Sequence, residues 1–219
     1  MIQLTRSGAV IADEIDGIPR LREQFDREQC ILFPRLIESG LLQTIQHRIG
    51  GSEFRPFIHE GIGHDSNLAD ESTVHLLFFL TNEPRFLQFV RDITGCTAIA
   101  AFHGRVYRMD PSASTLDSWH DDMVENRLIG MSVNLSNDVF QGAVFQLRDR
   151  SSGRILHETA NTGFGDAIIF KLAHHLQHRN TEVAGTAPKT AFAGWFRSHQ
   201  PDYHSWARIA RQNETPHRG

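Results

Sequence analysis

Cysteine is scarce in this sequence: Cys30 and Cys96 are the only two among 219 residues. Neither belongs to a Cys-x-x-Cys pair, and one bridge between them would be a thin framework for so long a chain. A disulfide scaffold is therefore not expected, and a reducing, cytoplasmic compartment is. Long apolar runs are missing as well. The longest, Leu76 to Leu80, falls far short of the roughly 20 residues that cross a bilayer as a helix. From Met1 to Val10 no charged segment leads into an apolar stretch, so no signal peptide is expected. Positive charge is not in excess either. Lys and Arg number 22 against 26 Asp and Glu, a net charge of −4, and no stretch gathers the basic residues onto one face. Phosphate binding needs concentrated positive charge, which argues against nucleic acid as a partner. The expectation is a soluble protein with neither membrane nor nucleic acid among its partners. Nothing in the sequence bears on oligomeric state.

What the chain does have is histidine, 13 in all, and this raises the prior for metal chemistry. Apolar residues at 40% and charged residues at 22% describe an ordinary globular protein. Its length suits one large domain and would be cramped for two.

Along the chain, residues 1–20 read as an irregular or weakly paired arm carrying Gly17 and Pro19. Cys30 to Phe33 is a short apolar run ended by Pro34, a candidate strand. Leu36, Ile37, Leu41, Leu42, Ile45 and Ile49 recur at helical spacing until Gly50-Gly51 stops them. Residues 52–70 hold Pro56, Gly61, Gly63, His59, His64 and Asp65 and read as a long polar loop. The part from Phe57 to Leu68 is a candidate substrate lid. Two helices follow, Glu71 to Leu80 and a second from Pro84 to Gly95. Beyond Gly95 come short apolar or alternating segments at Ala98–Arg108, Ile129–Leu135, Ala143–Arg148, Arg154–His157, Ala167–Lys171 and Thr190–Arg197. Turn residues separate them, the pattern of a β-sandwich or barrel. The predicted organisation is one domain. A helical part, 1–95, braces a β-rich core, 96–200, and 201–219 is a tail.

The chemistry gathers at Trp119-His120-Asp121-Asp122. His120 is the only histidine with a carboxylate two residues on, and on an extended strand residues i and i+2 point to the same side. A third ligand must come from a distant strand, and His174, His175 and His178 all follow the apolar segment Ala167 to Phe170. Two imidazoles and one carboxylate on one face of an octahedron leave positions open, the arrangement used for iron(II) oxygen activation.

Over Tyr107 to Arg197 the chain resembles the iron(II)/2-oxoglutarate dioxygenase superfamily, within it the prolyl-4-hydroxylase-like branch. The resemblance is carried by Val106-Tyr107, His120-x-Asp122, Val133-Asn134-Leu135, Gly142 to Leu147, Gly165 to Phe170, His178, Gly185, Lys189 and Gly194-Trp195-Phe196. It implies a mainly β fold with flanking helices, a double-stranded β-helix (jelly-roll) core. It implies His178 as the third ligand, iron(II) as the metal, and 2-oxoglutarate and dioxygen as co-substrates. It also implies Lys189 as the cation for the remote carboxylate of 2-oxoglutarate, with Tyr107 hydrogen-bonding the same group. A dianion entering a barrel needs a buried cation on physical grounds alone. Relatives that halogenate lack the carboxylate at the position of Asp122, so its presence implies hydroxylation or a related C–H oxidation.

This sequence departs from the family at three points. Many relatives carry arginine where Lys189 stands and a serine or threonine where it has Ala191. The spacing from His178 to Lys189 is one residue longer than the commonest, and His174 and His175 are unexpected neighbours of the ligand, read as loop histidines or as residues that support it from behind. The alternatives are a cupin-like barrel that binds a metal or small molecule without oxidising it, and a zinc hydrolase using the four-residue spacing of His174 and His178. The hydrolase lacks the glutamate of a His-Glu-x-x-His helix. For the oxidised substrate, position alone suggests Trp119, Arg127, His59 and His64, and an amino acid, peptide side chain or small metabolite as its class.

Overall fold

The computed structural model describes residues 2–11, 17–59, 63–111, 118–124 and 126–199. The N-terminal part holds a hairpin, β1 (Ile2–Thr5) with β2 (Gly8–Ile11), then α1 (Gly17–Glu28), β3 (Cys30–Phe33) and α2 (Ser39–Gly50). A second hairpin, β4 (Phe54–His59) with β5 (Gly63–Leu68), precedes α3 (Glu71–Thr81) and α4 (Pro84–Thr94). Local chemistry explains where the helices begin and end. The Glu38 carboxylate accepts from the amides of Gly40 and Leu41 at the start of α2, and Glu83 caps α4, whose first residue is Pro84. Gly95 ends α4 in the left-handed conformation, φ 64°, where a residue without Cβ is favoured.

The remaining strands are β6 (Ala101–Met109), β7 (Arg127–Asn134), β8 (Gln141–Gly142), β9 (Phe145–Asp149), β10 (Ile155–Thr159), β11 (Ala167–Lys171), β12 (Leu176–Asn180), β13 (Val183–Ala184) and β14 (Lys189–Arg197). Seven strands form one antiparallel sheet in the order β3-β11-β7-β14-β6-β5-β4. A smaller sheet has the order β10-β9-β12, and β13 pairs with β8.

Alternation assigns the two faces of the large sheet. Phe102, Val106, Met131, Val133, Ile169, Phe192 and Phe196 point one way, into a core shared with Leu41, Ile45, Leu77, Phe86, Val90 and Ile93 of the helices. Ile168 and Phe170 point the other way and meet Phe145 and Leu147 of β9 and Leu176 of β12. The large sheet is thus covered by helices on one face and by the small sheet on the other. This is the double-stranded β-helix that the sequence leads one to expect. No helix among the described residues is long and apolar enough to cross a membrane.

Three elements differ from the sequence-based expectation. The first residues, expected to be an irregular or weakly paired arm, form a regular hairpin, and Gly17 opens the helix α1. The supposed loop over 52–70 is the β4–β5 hairpin, which extends the large sheet through Ser66↔Arg108 and Asn67↔Tyr107. Pro56 is tolerated because β4 is the edge strand, where no ladder bond is demanded of its outer side. The N-terminal part is therefore not a purely helical brace, since it supplies β3, β4 and β5 to the large sheet. Finally, β12, the strand that carries His178, is not among the segments expected to be strands, although the third ligand is expected from a distant strand. Glu60 and Gly61 of the suggested lid, and the tail from 201, lie outside the described residues.

Candidate metal centre

Asp122, His120 and His178 meet between the two sheets. Each offers one ligand atom, and the three atoms lie within 4.8 Å of one another, the one such group among the described residues. His178 Nε2 stands 3.3 Å and His120 Nε2 3.8 Å from Asp122 Oδ2. Atoms each about 2.1 Å from one shared ion would stand roughly 3.0–4.2 Å apart, so little movement separates this arrangement from a coordinating one.

The backbone explains the convergence. His120 forms an isolated antiparallel bridge with His178, donating to its carbonyl at 3.2 Å and accepting from its amide at 2.9 Å. Paired residues in such a bridge project to the same side, and the two imidazole centroids are 4.3 Å apart. Asp122 is brought back to them by a turn and not by strand alternation. Its φ is +54°, a left-handed conformation that aspartate tolerates better than most residues. The His-x-Asp spacing therefore works here, but through a bent backbone.

The surrounding groups orient the ligands. His120 Nδ1 is 2.7 Å from the carbonyl oxygen of Ser118. A carbonyl only accepts, so Nδ1 carries the proton and the Nε2 lone pair is left for a metal. The ring of His178 is buried against Phe170 and Phe145, with centroids 4.6 and 6.0 Å away. Trp195 Nε1 donates to Asp122 Oδ2 at 2.8 Å, and Arg127 Nη1 lies 3.3 Å from Oδ1. The Arg127 guanidinium also stacks 3.5 Å over the Trp195 ring. Burial alone would raise the Asp122 carboxyl. In the metal-free chain the hydrogen bond and proximity of His178, the nearby His120 ring and the Trp195 donor outweigh it and hold the group well below the usual carboxylate range. The donor set is thus two imidazoles and an ionised carboxylate, suited to a divalent first-row metal. Replacing Trp195 by phenylalanine keeps most of the packing and removes the Asp122 hydrogen bond. Metal affinity is expected to fall about 10- to 100-fold, the usual effect of losing such a supporting partner, read by competition with a chromogenic chelator.

Lys189 opens β14 and is 2% exposed. Its Nζ donates to Asn180 Oδ1 at 2.8 Å, and Asn180 lies two residues beyond His178 on the same side of β12. The ammonium is therefore one strand step, about 6.7 Å of backbone, from a ligand of the triad. Tyr107 lies opposite Ala191, on the face of the large sheet that bears Lys189, Ala193 and Trp195. Its ring lies 5.0 Å from the Arg105 guanidinium, which binds Asp65 and Asn67 of β5 and covers Phe57 of β4. Through Arg105 the β4–β5 hairpin is fastened to the inner face of the barrel.

Other predicted residues lie elsewhere. Arg127 reaches the triad, but as a partner of Asp122. The Trp119 ring lies 4.1 and 4.4 Å from the guanidinium carbons of Arg148 and Arg179. Those arginines alternate with the inward Leu147 and His178, so Trp119 covers the outer face of the small sheet and not the space beside the triad. His64 is exposed and pairs with Ile58, on the face of the hairpin opposite Phe57 and Asp65. His59 ends β4 opposite Gly63. His174 and His175 are exposed turn residues outside the triad. Trp195 and Asn180 went unassigned in the sequence. Their signal was the period of two, six residues after Lys189 and two after His178.

No protein-family model and no curated protein matches the sequence. Several solved structures match the fold. A 2OG-Fe(II) oxygenase family oxidoreductase from Burkholderia pseudomallei is 17% identical, covering 87% of this chain and 95% of its own, with a TM-score of 0.63. A prolyl hydroxylase from Trichoplax adhaerens, solved with a hypoxia-inducible-factor peptide fragment, is 12% identical over 91% of this chain and 93% of its own, TM-score 0.59. The non-haem, α-ketoglutarate-dependent epimerase SnoN of nogalamycin biosynthesis is 14% identical over 94% and 92%, TM-score 0.59. The chain thus resembles the 2-oxoglutarate iron(II) oxygenases, prolyl hydroxylases among them, over nearly their whole length. At these identities the likeness is one of fold.

Proposed function

We propose that this protein is an iron(II)- and 2-oxoglutarate-dependent oxygenase. In this reading it converts 2-oxoglutarate and dioxygen to succinate and carbon dioxide and hydroxylates an unactivated C–H bond. One atom of dioxygen ends in succinate and the other in the new hydroxyl. The observation that carries the reading is the joint arrangement of the half-buried His120 and Asp122 and the buried His178 with the buried Lys189 one strand step away. A zinc hydrolase can also use two histidines and a carboxylate, but it would need no internal cation at that place.

Iron held by the triad would supply the activation of dioxygen and the site where the 2-oxo acid is oxidised. The chain's own residues do the rest. His120, with its Nδ1 proton committed to Ser118, presents Nε2. Trp195 and Arg127 hold the Asp122 carboxylate ionised and aimed. Lys189 neutralises the distal carboxylate of 2-oxoglutarate and fixes which end of it faces the triad, with Tyr107 alongside. Phe145 and Phe170 keep the His178 side dry. For the oxidised partner we infer an amino acid, a peptide side chain or a small metabolite, consistent with the peptide complex of one structural neighbour. The β4–β5 hairpin, fastened by Arg105 to the inner face of the barrel, is the element we assign to covering that partner. A screen of amino acids, peptides and small metabolites for iron-dependent succinate formation tests the proposal. Substrate-stimulated succinate with a matching hydroxylated product is the expected result. Tight 2-oxoglutarate binding without succinate on any substrate would favour a barrel that binds and does not oxidise.

A further inference from the structure

The inner face of the large sheet carries a hydroxyl that no other described residue uses. Ser132 lies on β7 opposite Ala193 on one side and Ile168 on the other. Ile168 packs against the small sheet, and Ala193 shares a face with Trp195, so the Ser132 side chain points between the sheets. Its Oγ is buried and has no hydrogen-bond partner among the described residues. Its carbonyl accepts from Nδ2 of Asn161 at 3.3 Å, and Asn161, 3% exposed, has an Oδ1 that is likewise buried and unbonded. Buried polar atoms are bonded in the great majority of cases. An unbonded hydroxyl on the inner face, on a residue held by a second side chain with an unbonded oxygen, marks a place able to meet a polar ligand. Asn134, the next inward residue of β7, is different, because both ends of its amide are bonded, to Gly163 and Ser136.

Position says which ligand group. Gly130, paired with Phe170 and Trp195, marks the level of the triad on the large sheet. Ser132 is one strand step from it, toward the Lys189 end of β14. On the small sheet Asn180 is one step from His178, and that is where the Lys189 ammonium arrives. Ser132 and the ammonium therefore stand at one level on facing sheets. The inner residues of β14 at this level, Ala191 and Ala193, offer no hydroxyl, and Thr190 faces the other way beside Arg108.

We infer that Ser132 donates a hydrogen bond to the distal carboxylate of 2-oxoglutarate beside Lys189, so that the neighbouring strand supplies the hydroxyl that β14 lacks. The inference rests on the co-substrate reading above. Calorimetric titration of 2-oxoglutarate into manganese(II)-loaded protein tests it without turnover, on the parent chain, Ser132→Ala, Ser132→Thr and Lys189→Ala. Losing a hydrogen bond to a charged group should weaken binding by Ser132→Ala about tenfold or more. The melting temperature of the ligand-free protein should stay level or rise, because an unbonded buried hydroxyl is removed, and Ser132→Thr should bind within a few-fold of the parent. Unchanged affinity in Ser132→Ala, with binding lost in Lys189→Ala, would overturn the role of Ser132 and leave the co-substrate reading standing. So would a loss accompanied by a lower melting temperature and no recovery with threonine, the mark of a structural role. A parent chain that does not bind 2-oxoglutarate would overturn both.

Discussion

Replacing His178 by alanine is expected to take metal binding from one ion per chain to none at concentrations that saturate the parent. In the proposed centre the imidazole is one of three ligands, and in the metal-free chain it also helps to keep Asp122 ionised. Losing it removes a bond to the metal and raises the cost of the buried carboxylate together. The affinity loss should exceed the roughly 100-fold upper end seen when only a supporting partner is removed. The fold should survive, because the backbone bridge between residues 120 and 178 uses main-chain atoms alone. A double His174→Ala, His175→Ala variant is the matched control. Both residues are exposed, and metal binding should be kept. Anaerobic equilibrium dialysis with iron(II) reads both results. Retained stoichiometry in His178→Ala would refute the ligand assignment.

Lys189→Ala is expected to raise the apparent 2-oxoglutarate requirement by roughly 10²- to 10³-fold while one metal ion still binds. The magnitude follows from leaving a carboxylate desolvated without its partner, about 3–5 kcal/mol for a buried pair. Neither of the nearest arginines on β6 can readily stand in. Arg105 is committed to Asp65, and Arg108 lies on the other face of the strand, 3.8 Å over Phe54. Steady-state kinetics in 2-oxoglutarate, with metal content measured on the same sample, separates this outcome from a general loss of structure. An unchanged requirement would move the anion site elsewhere.

The parts of this fold that were legible in the sequence are those where one residue class serves one purpose. Leu41, Ile45 and Ile49 repeat at helical spacing because one face of α2 is buried. Ala167 to Phe170 reads as a strand because both its faces are covered. The segments that escaped are those where function or an edge replaces the apolar pattern. β12 is Leu-Gln-His-Arg-Asn, and two of its three inward positions are held by His178 and Asn180, so only Leu176 shows hydrophobic alternation. The β4–β5 hairpin sits at the sheet edge and faces inward with Phe57, Asp65 and Asn67, a mixture that composition cannot tell from a loop.

Within the site, the triad was legible because His-x-Asp is rare in this chain and a distal histidine had few candidates. The bend at Asp122 was not, since a positive φ at an aspartate leaves no mark on spacing. Trp119 shows what adjacency conceals. Being next to His120 along a paired segment sends its ring to the opposite face, where it meets Arg148 and Arg179. Trp195, 76 residues from Trp119 in sequence, is the indole that touches the triad.

The most direct test of the central claim is an anaerobic crystal structure of the chain with manganese(II) and 2-oxoglutarate. The expected result is one ion bonded to His120, Asp122 and His178 at about 2.0–2.2 Å, its remaining positions shared by the 2-oxo acid, whose distal carboxylate meets Lys189. An ion held by His174 or His175, or an ion on the triad with no 2-oxo acid beside it and Lys189 still bonded only to protein, would contradict it.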